Sequence, residues 1–221
     1  MRLLVTIMLL LHGPLFAWTD SDYEKHTFTS FFKLEEVNAR IDFDKIDYPL
    51  LSAAVFYETN RMRKKHRMSE FAHSPALERA ALGHSMDMAK RKFFSHNSPV
   101  RGKETMQKRL ALEGIDTGYR GENIATSFGI EYEAGKSVFG PDQNGGYFSY
   151  SHKGDRIENH TYAGLARAVV EQWMNSPGHR ANILNPKFTF HGAGGYHFKK
   201  REFFNMDNFQ FTQNFASVKG P

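Results

Sequence analysis

The sequence contains no cysteine among its 221 residues. This absence excludes disulfide frameworks, thiol nucleophiles, iron–sulfur clusters and cysteine-ligated zinc. Any metal site must therefore use histidine, carboxylate or carbonyl ligands. The sequence also lacks the glycine-rich motifs of nucleotide-binding proteins, the H-E-x-x-H motif of zinc peptidases and the G-x-S-x-G motif of serine hydrolases.

Long hydrophobic runs are equally scarce. The one long apolar run extends from Leu3 to Leu11, and its length of about nine residues is well below the ~20 needed to cross a bilayer. It follows a basic residue and is followed by the small residue Ala17. This pattern predicts a secretory signal peptide over residues 1–17, although a buried N-terminal strand is the alternative. We therefore expect an exported protein, secreted or periplasmic, whose mature chain has no transmembrane span.

Neither charge sign dominates, because 29 Lys and Arg residues face 24 Asp and Glu residues. The densest basic run, residues 61–67, follows an apolar helical pattern, where cations stabilise a helix C-terminus. A nucleic-acid partner is therefore not expected. The aromatic content of 14% excludes a disordered chain. The length suits one domain at 49–221, preceded by an extension at 18–48 and carrying an irregular insertion at about 126–160.

Periodic hydrophobic residues predict helices in the first part of the chain and strands in the last part. A helix begins at Pro49 and ends near Lys65, a second follows the capping residue Ser74, and a third covers 103–112. A fourth covers about 163–173 and must stop before residues 176–178. Alternating phenylalanines at 188–190 and 209–215 predict strands. This order predicts an α+β fold, in which helices cover an antiparallel sheet.

Two residues on the predicted helices are assigned to the core. His84 lies on the apolar stripe of the second helix, and Trp173 lies on the apolar face of the fourth. A core histidine satisfied by one neighbour is favoured over a ligand for His84.

Four polar residues occupy positions where they could act as metal ligands or as general acids and bases. His96 follows an aromatic pair, Glu122 lies at the edge of a short apolar segment, and His179 lies just past the fourth helix. Glu171 lies on that helix. Imidazoles and carboxylates are ligands that zinc accepts, and they also serve as general acids and bases. The wide spacing leaves open that each residue lies singly on the surface.

Five segments of the chain resemble the successive motifs of the CAP superfamily, which contains cysteine-rich secretory, antigen 5 and pathogenesis-related proteins. The segments are PALERAALGHSMDMAKRKFFSHNSP, GENIA, AVVEQWMNSPGHRANILNPKF, GAGGYHF and FTQNFA. They cover about residues 50–125 and 161–216, and they are most similar to the cysteine-free bacterial SCP-like branch. The resemblance implies an α-β-α sandwich with a central antiparallel sheet. It also implies a cleft lined by two histidines and two acidic residues.

The resemblance assigns His96, Glu122 and His179 to this cleft. The position of the family's second acid is occupied by Ser176. Glu171 is an alternative fourth residue, but it lies roughly 140° away around a helix. His96, Glu122 and His179 are thus the expected ligands of a divalent cation such as zinc, which would keep an open fourth position.

Three functions remain open at this point, because membership of a fold family does not specify an activity. The favoured one is a binding module whose cleft holds a divalent metal, or a small or peptide ligand from the cell exterior or envelope. The second is a metal-assisted hydrolase with Glu122 as the base. The third is a structural or interaction protein in which the three residues only hydrogen-bond loops together.

Overall fold

The structure, a computed structural model, describes residues 18–221. The predicted signal peptide at residues 1–17 lies outside the described residues. In the described part of the chain, no helix is both long enough and apolar enough to cross a membrane.

Residues 18–221 form eight α-helices and four β-strands. The helices are α1 (Asp22–Lys25), α2 (Phe28–Phe31), α3 (Glu35–Asn38), α4 (Tyr48–Lys65), α5 (Pro75–Arg91), α6 (Met106–Leu112), α7 (Tyr162–Met174) and α8 (Pro177–Ile183). The strands are β1 (Ala72–His73), β2 (Arg120–Phe128), β3 (Phe190–Lys200) and β4 (Met206–Ala216).

The four strands form one sheet in the order β1-β3-β4-β2. The three long strands are antiparallel, whereas the two-residue strand β1 runs parallel to β3. The predicted α+β class is confirmed, but the sheet is mixed rather than wholly antiparallel. The reason is that the short segment before α5 pairs with the start of β3.

Helices cover both faces of the sheet. Helix α5 packs against β3 and β4 on one face, and α4 and α7 pack on the other. Successive strand residues point to opposite faces, and the glycines of β3 follow this alternation. A Cβ at Gly194 would meet Leu82 of α5, whereas a Cβ at Gly195 would meet Leu51 of α4. The architecture is the α-β-α sandwich that the resemblance implied.

Two helix boundaries follow from capping residues. The Ser74 hydroxyl accepts from the backbone N–H of Leu77, so α5 begins at Pro75 as predicted. The Thr105 hydroxyl accepts from Lys108, so α6 begins at Met106 rather than near residue 103.

The N-terminal extension contributes to the main core. Its three helices are one turn each, which is why the sequence shows no sustained period there. Phe31, Val37 and Ile41 are at most 1% exposed and pack in the same cluster as α4 and α7. Residues 18–48 are therefore part of the packed structure.

The predicted irregular insertion differs from the structure at its start. Residues 126–128 belong to β2, which ends at Phe128. The segment that follows contains a single 3₁₀ turn at Pro141–Gln143 and a small apolar cluster, which includes Ile130, Phe148 and Ile157. The segment thus has a core of its own beside the end of the sheet.

The close approach of α5 to β3 generates the first prediction. We expect Gly192→Ala to destabilise the fold by about 3 kcal/mol or more, because the added Cβ would overlap the backbone of Glu78. Urea unfolding measures the loss.

The matched control is Gly83→Ala on α5 itself, where an added Cβ meets nothing within 4 Å. We expect this change to stabilise the protein by about 0.5–1 kcal/mol, because alanine favours the helix. Equal effects of the two substitutions would contradict the packing described here.

Candidate functional site

The site forms where β2, α6 and the loop after α5 meet. Glu122 lies on β2 opposite Asn214 of β4. His96 lies in the loop after α5, and Arg109 lies on α6. Three separate segments thus bring an imidazole, a carboxylate and a guanidinium together.

The Glu122 carboxylate is hydrogen-bonded to two side chains, those of Arg109 and His96. Arg109 donates from Nη2 to Glu122 Oε2 at 2.7 Å and to Oε1 at 2.9 Å. His96 Nδ1 lies 2.9 Å from Glu122 Oε1. The side chains of Glu122 and Arg109 are each 3% exposed, whereas that of His96 is 53% exposed. A buried ion pair thus supports an exposed imidazole.

The charge state of Glu122 follows from these contacts. Burial alone would raise the pKa of the Glu122 carboxyl. The hydrogen bond from His96 and the positive charge of Arg109 outweigh burial and hold this pKa below its ordinary value. Glu122 is therefore an ionised acceptor near neutral pH.

The bond to Glu122 fixes the orientation of His96. A carboxylate only accepts hydrogen bonds, so the Nδ1 atom of His96 carries a hydrogen. The other ring nitrogen, Nε2, is then the free nitrogen of an exposed ring. Arg109 also donates to the backbone carbonyls of His96 and Lys103, both at 3.0 Å, which holds the loop itself.

His179 lies on the first turn of α8, not in a turn after α7 as the sequence indicated. Pro177 starts this new helix, since proline is tolerated at a first helical position. Asn123 donates to the His179 carbonyl at 3.1 Å, and Asn182 donates to the Glu122 carbonyl at 3.3 Å. These bonds join α8 to β2.

The two histidines lie close enough to interact. Partial burial lowers the pKa of His179, and the charge of His96 lowers it further. The structure therefore places His96 and Glu122 in direct contact and His179 within electrostatic reach of His96.

Neither candidate for the fourth position contributes a carboxylate here. Ser176 is the residue that precedes α8, and its side chain makes no capping bond. Glu171 is an exposed residue of α7 that lies within electrostatic reach of Arg61 on α4. The pKa of the Arg61 guanidinium is raised. The main cause is its hydrogen bond to Glu58, and the negative charge of Glu171 adds to the effect. The structure does not bring Glu171 to the cluster.

Arg109 is the residue that sequence reasoning missed. Arg120 is the arginine nearest to Glu122 in the sequence, but it approaches the carbonyl of Ile115 at 3.5 Å. In the sequence, Arg109 follows Lys108 on a short helix and carries no distinguishing signal. Only the packing of α6 against β2 buries Arg109 and leaves Lys108 exposed.

The two core assignments agree with the structure. His84 is fully buried, and its Nε2 makes one hydrogen bond, to the Ser95 carbonyl at 3.0 Å. Burial lowers the pKa of His84 to about 4. Trp173 is also fully buried and donates to the Ile124 carbonyl at 3.1 Å.

The cluster does not present a three-ligand metal site. Within residues 18–221, no group of three His, Asp or Glu side chains is arranged to hold a metal ion. Both oxygens of Glu122 are bonded to Arg109, so this carboxylate does not fit as a direct ligand. Zinc binding remains a prediction, with the two imidazoles as the available donors.

The α-β-α sandwich and its histidine-bearing surface define an SCP-like domain. The model of the CAP family, described as the cysteine-rich secretory protein family, matches residues 56–215, and the chain belongs to this family. Its lack of cysteine departs from the family's descriptive name.

Known relatives and one solved structure are similar to this chain. It is 29% identical over 157 residues to the uncharacterized membrane protein YlbC of Bacillus subtilis, covering 71% of this chain and 32% of the relative. It is 30% identical over 137 residues to the uncharacterized protein YkwD of Bacillus subtilis, covering 62% of this chain and 38% of the relative. The chain thus spans about a third of the length of each relative.

The solved structure is that of an extracellular protein containing an SCP domain from Bacillus anthracis. It matches with 26% identity and a TM-score of 0.53, covering 81% of this chain and 45% of that chain.

The buried ion pair generates the second prediction. We expect Arg109→Met to destabilise the fold by about 3–5 kcal/mol, because Glu122 would remain as an uncompensated buried charge. Adding Glu122→Gln should recover a large part of the loss, since the charge is then removed. Chemical unfolding of the two single variants and the double variant measures the coupling.

The control is Lys108→Met on the same helix, where the lysine forms only an exposed pair with Glu104. We expect a change within about 0.5 kcal/mol. Additive losses in Arg109→Met and Glu122→Gln would show that the pair does not act as a unit.

The buried His84 generates the third prediction. Its pKa is about 4 in the folded protein, compared with 6.5 for the ordinary side chain, so the unfolded chain binds the proton more tightly. The contribution of His84 is complete above pH 6.5 and is lost as the pH falls towards 4. We expect this group to reduce the free energy of unfolding by about 3 kcal/mol between pH 7 and pH 4.

The variant His84→Gln removes the titrating group and keeps an N–H donor for the Ser95 carbonyl. Its unfolding free energy should therefore fall less on acidification than that of the wild type. Equal pH dependence of the two proteins would exclude His84 as the source.

Proposed function

We propose that this CAP-family protein is an exported binding module that recognises its ligand on the surface formed by His96 and His179. Export is supported by the similarity to the extracellular SCP-domain protein of Bacillus anthracis and by the apolar segment at the start of the sequence. The relevant ligands would be found outside the cell or in its envelope.

The observation that carries the proposal is the support of an exposed imidazole by a buried ion pair. Burying Glu122 and Arg109 costs desolvation energy, so such a pair adds little net stability. It does fix the position and hydrogen placement of the exposed His96 ring. A ring held in this way loses little conformational entropy when a ligand binds, which favours recognition.

The two imidazoles define what the surface can bind. With Nδ1 donating to Glu122, the uncharged form of the His96 ring would present Nε2 as a hydrogen-bond acceptor. The lowered pKa of His179 favours the neutral form of that ring. Hydroxyl and amide groups of glycans or peptides can donate to such nitrogens. A divalent cation is a second candidate ligand, since each imidazole can supply one nitrogen. Glu122 would accept a hydrogen bond from His96 Nδ1 while Nε2 binds the cation.

The hydrolase alternative requires a different base from the one first considered. Glu122 is buried, has a lowered pKa and accepts hydrogen bonds from Arg109 and His96. A carboxylate in this state is a weak proton acceptor. A hydrolytic role would therefore rest on His96 Nε2.

The structural alternative is favoured by one specific observation. Arg109 binds the carbonyls of His96 and Lys103 as well as Glu122, so the network holds the loop between α5 and α6 in place. A purely structural role predicts that substituting the exposed rings changes stability without changing any binding.

The fourth prediction tests the binding surface by NMR of histidine side chains. We expect soluble peptidoglycan fragments or zinc chloride, added separately, to shift the ring signals of His96 and His179 in a saturable way. The variant His96→Ala/His179→Ala should bind the active probe at least tenfold more weakly. Binding is measured independently by calorimetry.

The control is His66→Ala/His152→Ala, which removes two histidines that lie outside the cluster. This variant should bind the active probe like the wild type. Equal losses in both double variants, or unchanged signals of His96 and His179 with both probes, would rule out the proposed surface.

A further inference from the structure

A second cleft lies on the same face of the sheet as Glu122, further along β2. Its floor is formed by Thr126 and Gln210, which are opposite each other in the pairing of β2 with β4. Met88 near the end of α5 forms one side. The cleft has a volume of about 350 Å³, which is within the range of small-ligand sites. None of His96, Glu122 and His179 lines it.

The walls of the cleft are aromatic. Phe93 and Phe94 come from the loop after α5, and Phe198 comes from β3. Phe94 is 53% exposed. Together with the partly buried Phe93 and Phe198, this ring gives the cleft an apolar wall against which an apolar group of a ligand can pack.

The rim of the cleft is basic. Lys92, Lys199, Lys200 and Arg201 line it, against one carboxylate from Glu202. Lys199 pairs with Asp207 at 2.8 Å. In residues 18–221, the other three cations have no ion-pair partner within 4.0 Å. The rim is therefore complementary to an anionic ligand.

The floor of the cleft presents an unused hydrogen-bond donor. Gln210 is 6% exposed, and its Oε1 accepts from the Thr126 hydroxyl at 2.8 Å. Its Nε2 has no hydrogen-bond partner among residues 18–221. Gln210 Nε2 is not among the fully buried atoms of residues 18–221 that lack a partner. It is therefore open to the cleft, where a ligand that supplies a carbonyl or carboxylate oxygen can accept from it.

From these features we propose that the cleft binds an extended peptide segment in which acidic and apolar side chains alternate. A peptide carbonyl accepts from Gln210 Nε2, an apolar side chain packs between Phe94 and Phe198, and carboxylates lie near Lys200 and Arg201. A fatty acid carries one carboxylate, which can meet either the basic rim or Gln210 Nε2, whereas an acidic peptide supplies a separate acceptor for each. This site is distinct from the His96 surface.

The fifth prediction uses a fluorescein-labelled octapeptide of alternating glutamate and leucine. We expect saturable binding in fluorescence anisotropy that weakens as salt rises, because exposed charges are screened. Lys200→Glu/Arg201→Glu should weaken binding at least tenfold. Lys64→Glu/Lys65→Glu makes the same charge change at the C-terminal end of α4, near the opposite end of the sheet, and should leave binding unchanged.

Two further variants test the floor and the wall. Gln210→Glu keeps an acceptor for the Thr126 hydroxyl but replaces the amide donor, so it should weaken peptide binding at least tenfold. Phe94→Ser changes an exposed ring, so it should reduce binding without lowering the melting temperature. If Gln210→Glu does not fold, Phe94→Ser and the rim variant still decide the result.

Several outcomes would overturn the proposal. They are no saturable binding by the wild type, equal binding of a lysine–leucine octapeptide, and equal losses in the rim variant and its charge control. Displacement of the glutamate–leucine peptide by laurate, with Gln210→Glu binding laurate normally, would assign the cleft to a fatty acid instead. A loss of peptide binding in His96→Ala/His179→Ala would show that the two sites are not separate.

Discussion

The ion pair between Glu122 and Arg109 is the interaction on which the site depends. It joins β2 to α6, and through the carbonyls of His96 and Lys103 it also holds the loop that connects α5 with α6. Both charges are almost fully buried, so each stabilises the other rather than a ligand. The functional group exposed at the surface is the His96 imidazole. Its hydrogen bond to the buried Glu122 fixes the orientation of the ring and the hydrogen on Nδ1. This arrangement favours recognition over a role for Glu122 in proton transfer.

Much of the fold could be predicted because its signals are local. The cap at Ser74, the apolar faces of α4 and α7, and the alternating residues of β4 depend only on nearby positions, and the structure matches them. The helix at Pro177 was missed because proline ends one helix and begins another with the same local pattern. The one-turn helices before α4 were missed because four residues are too few to show a period.

The site was only partly predictable for a different reason. The motifs indicated His96, Glu122 and His179, but not what surrounds them. Arg109 and Lys108 are adjacent cations on one helix, and only the contact of α6 with the sheet decides which is buried. The state of Glu122 depends on that contact too, since a carboxylate with a buried guanidinium beside it cannot serve a metal as freely as an unpaired one. Tertiary packing therefore decided the electrostatics that local patterns left open.

The burial of Phe31, Val37 and Ile41 has a consequence for the unit that folds. These side chains precede residue 56, where the match to the family begins, yet they fill the same core as α4 and α7. A fragment trimmed to the matched segment would lose residues 48–55 of α4 and uncover the apolar surface that Phe31, Val37 and Ile41 now occupy. The cooperative folding unit of this chain thus extends beyond the segment that the family model matches.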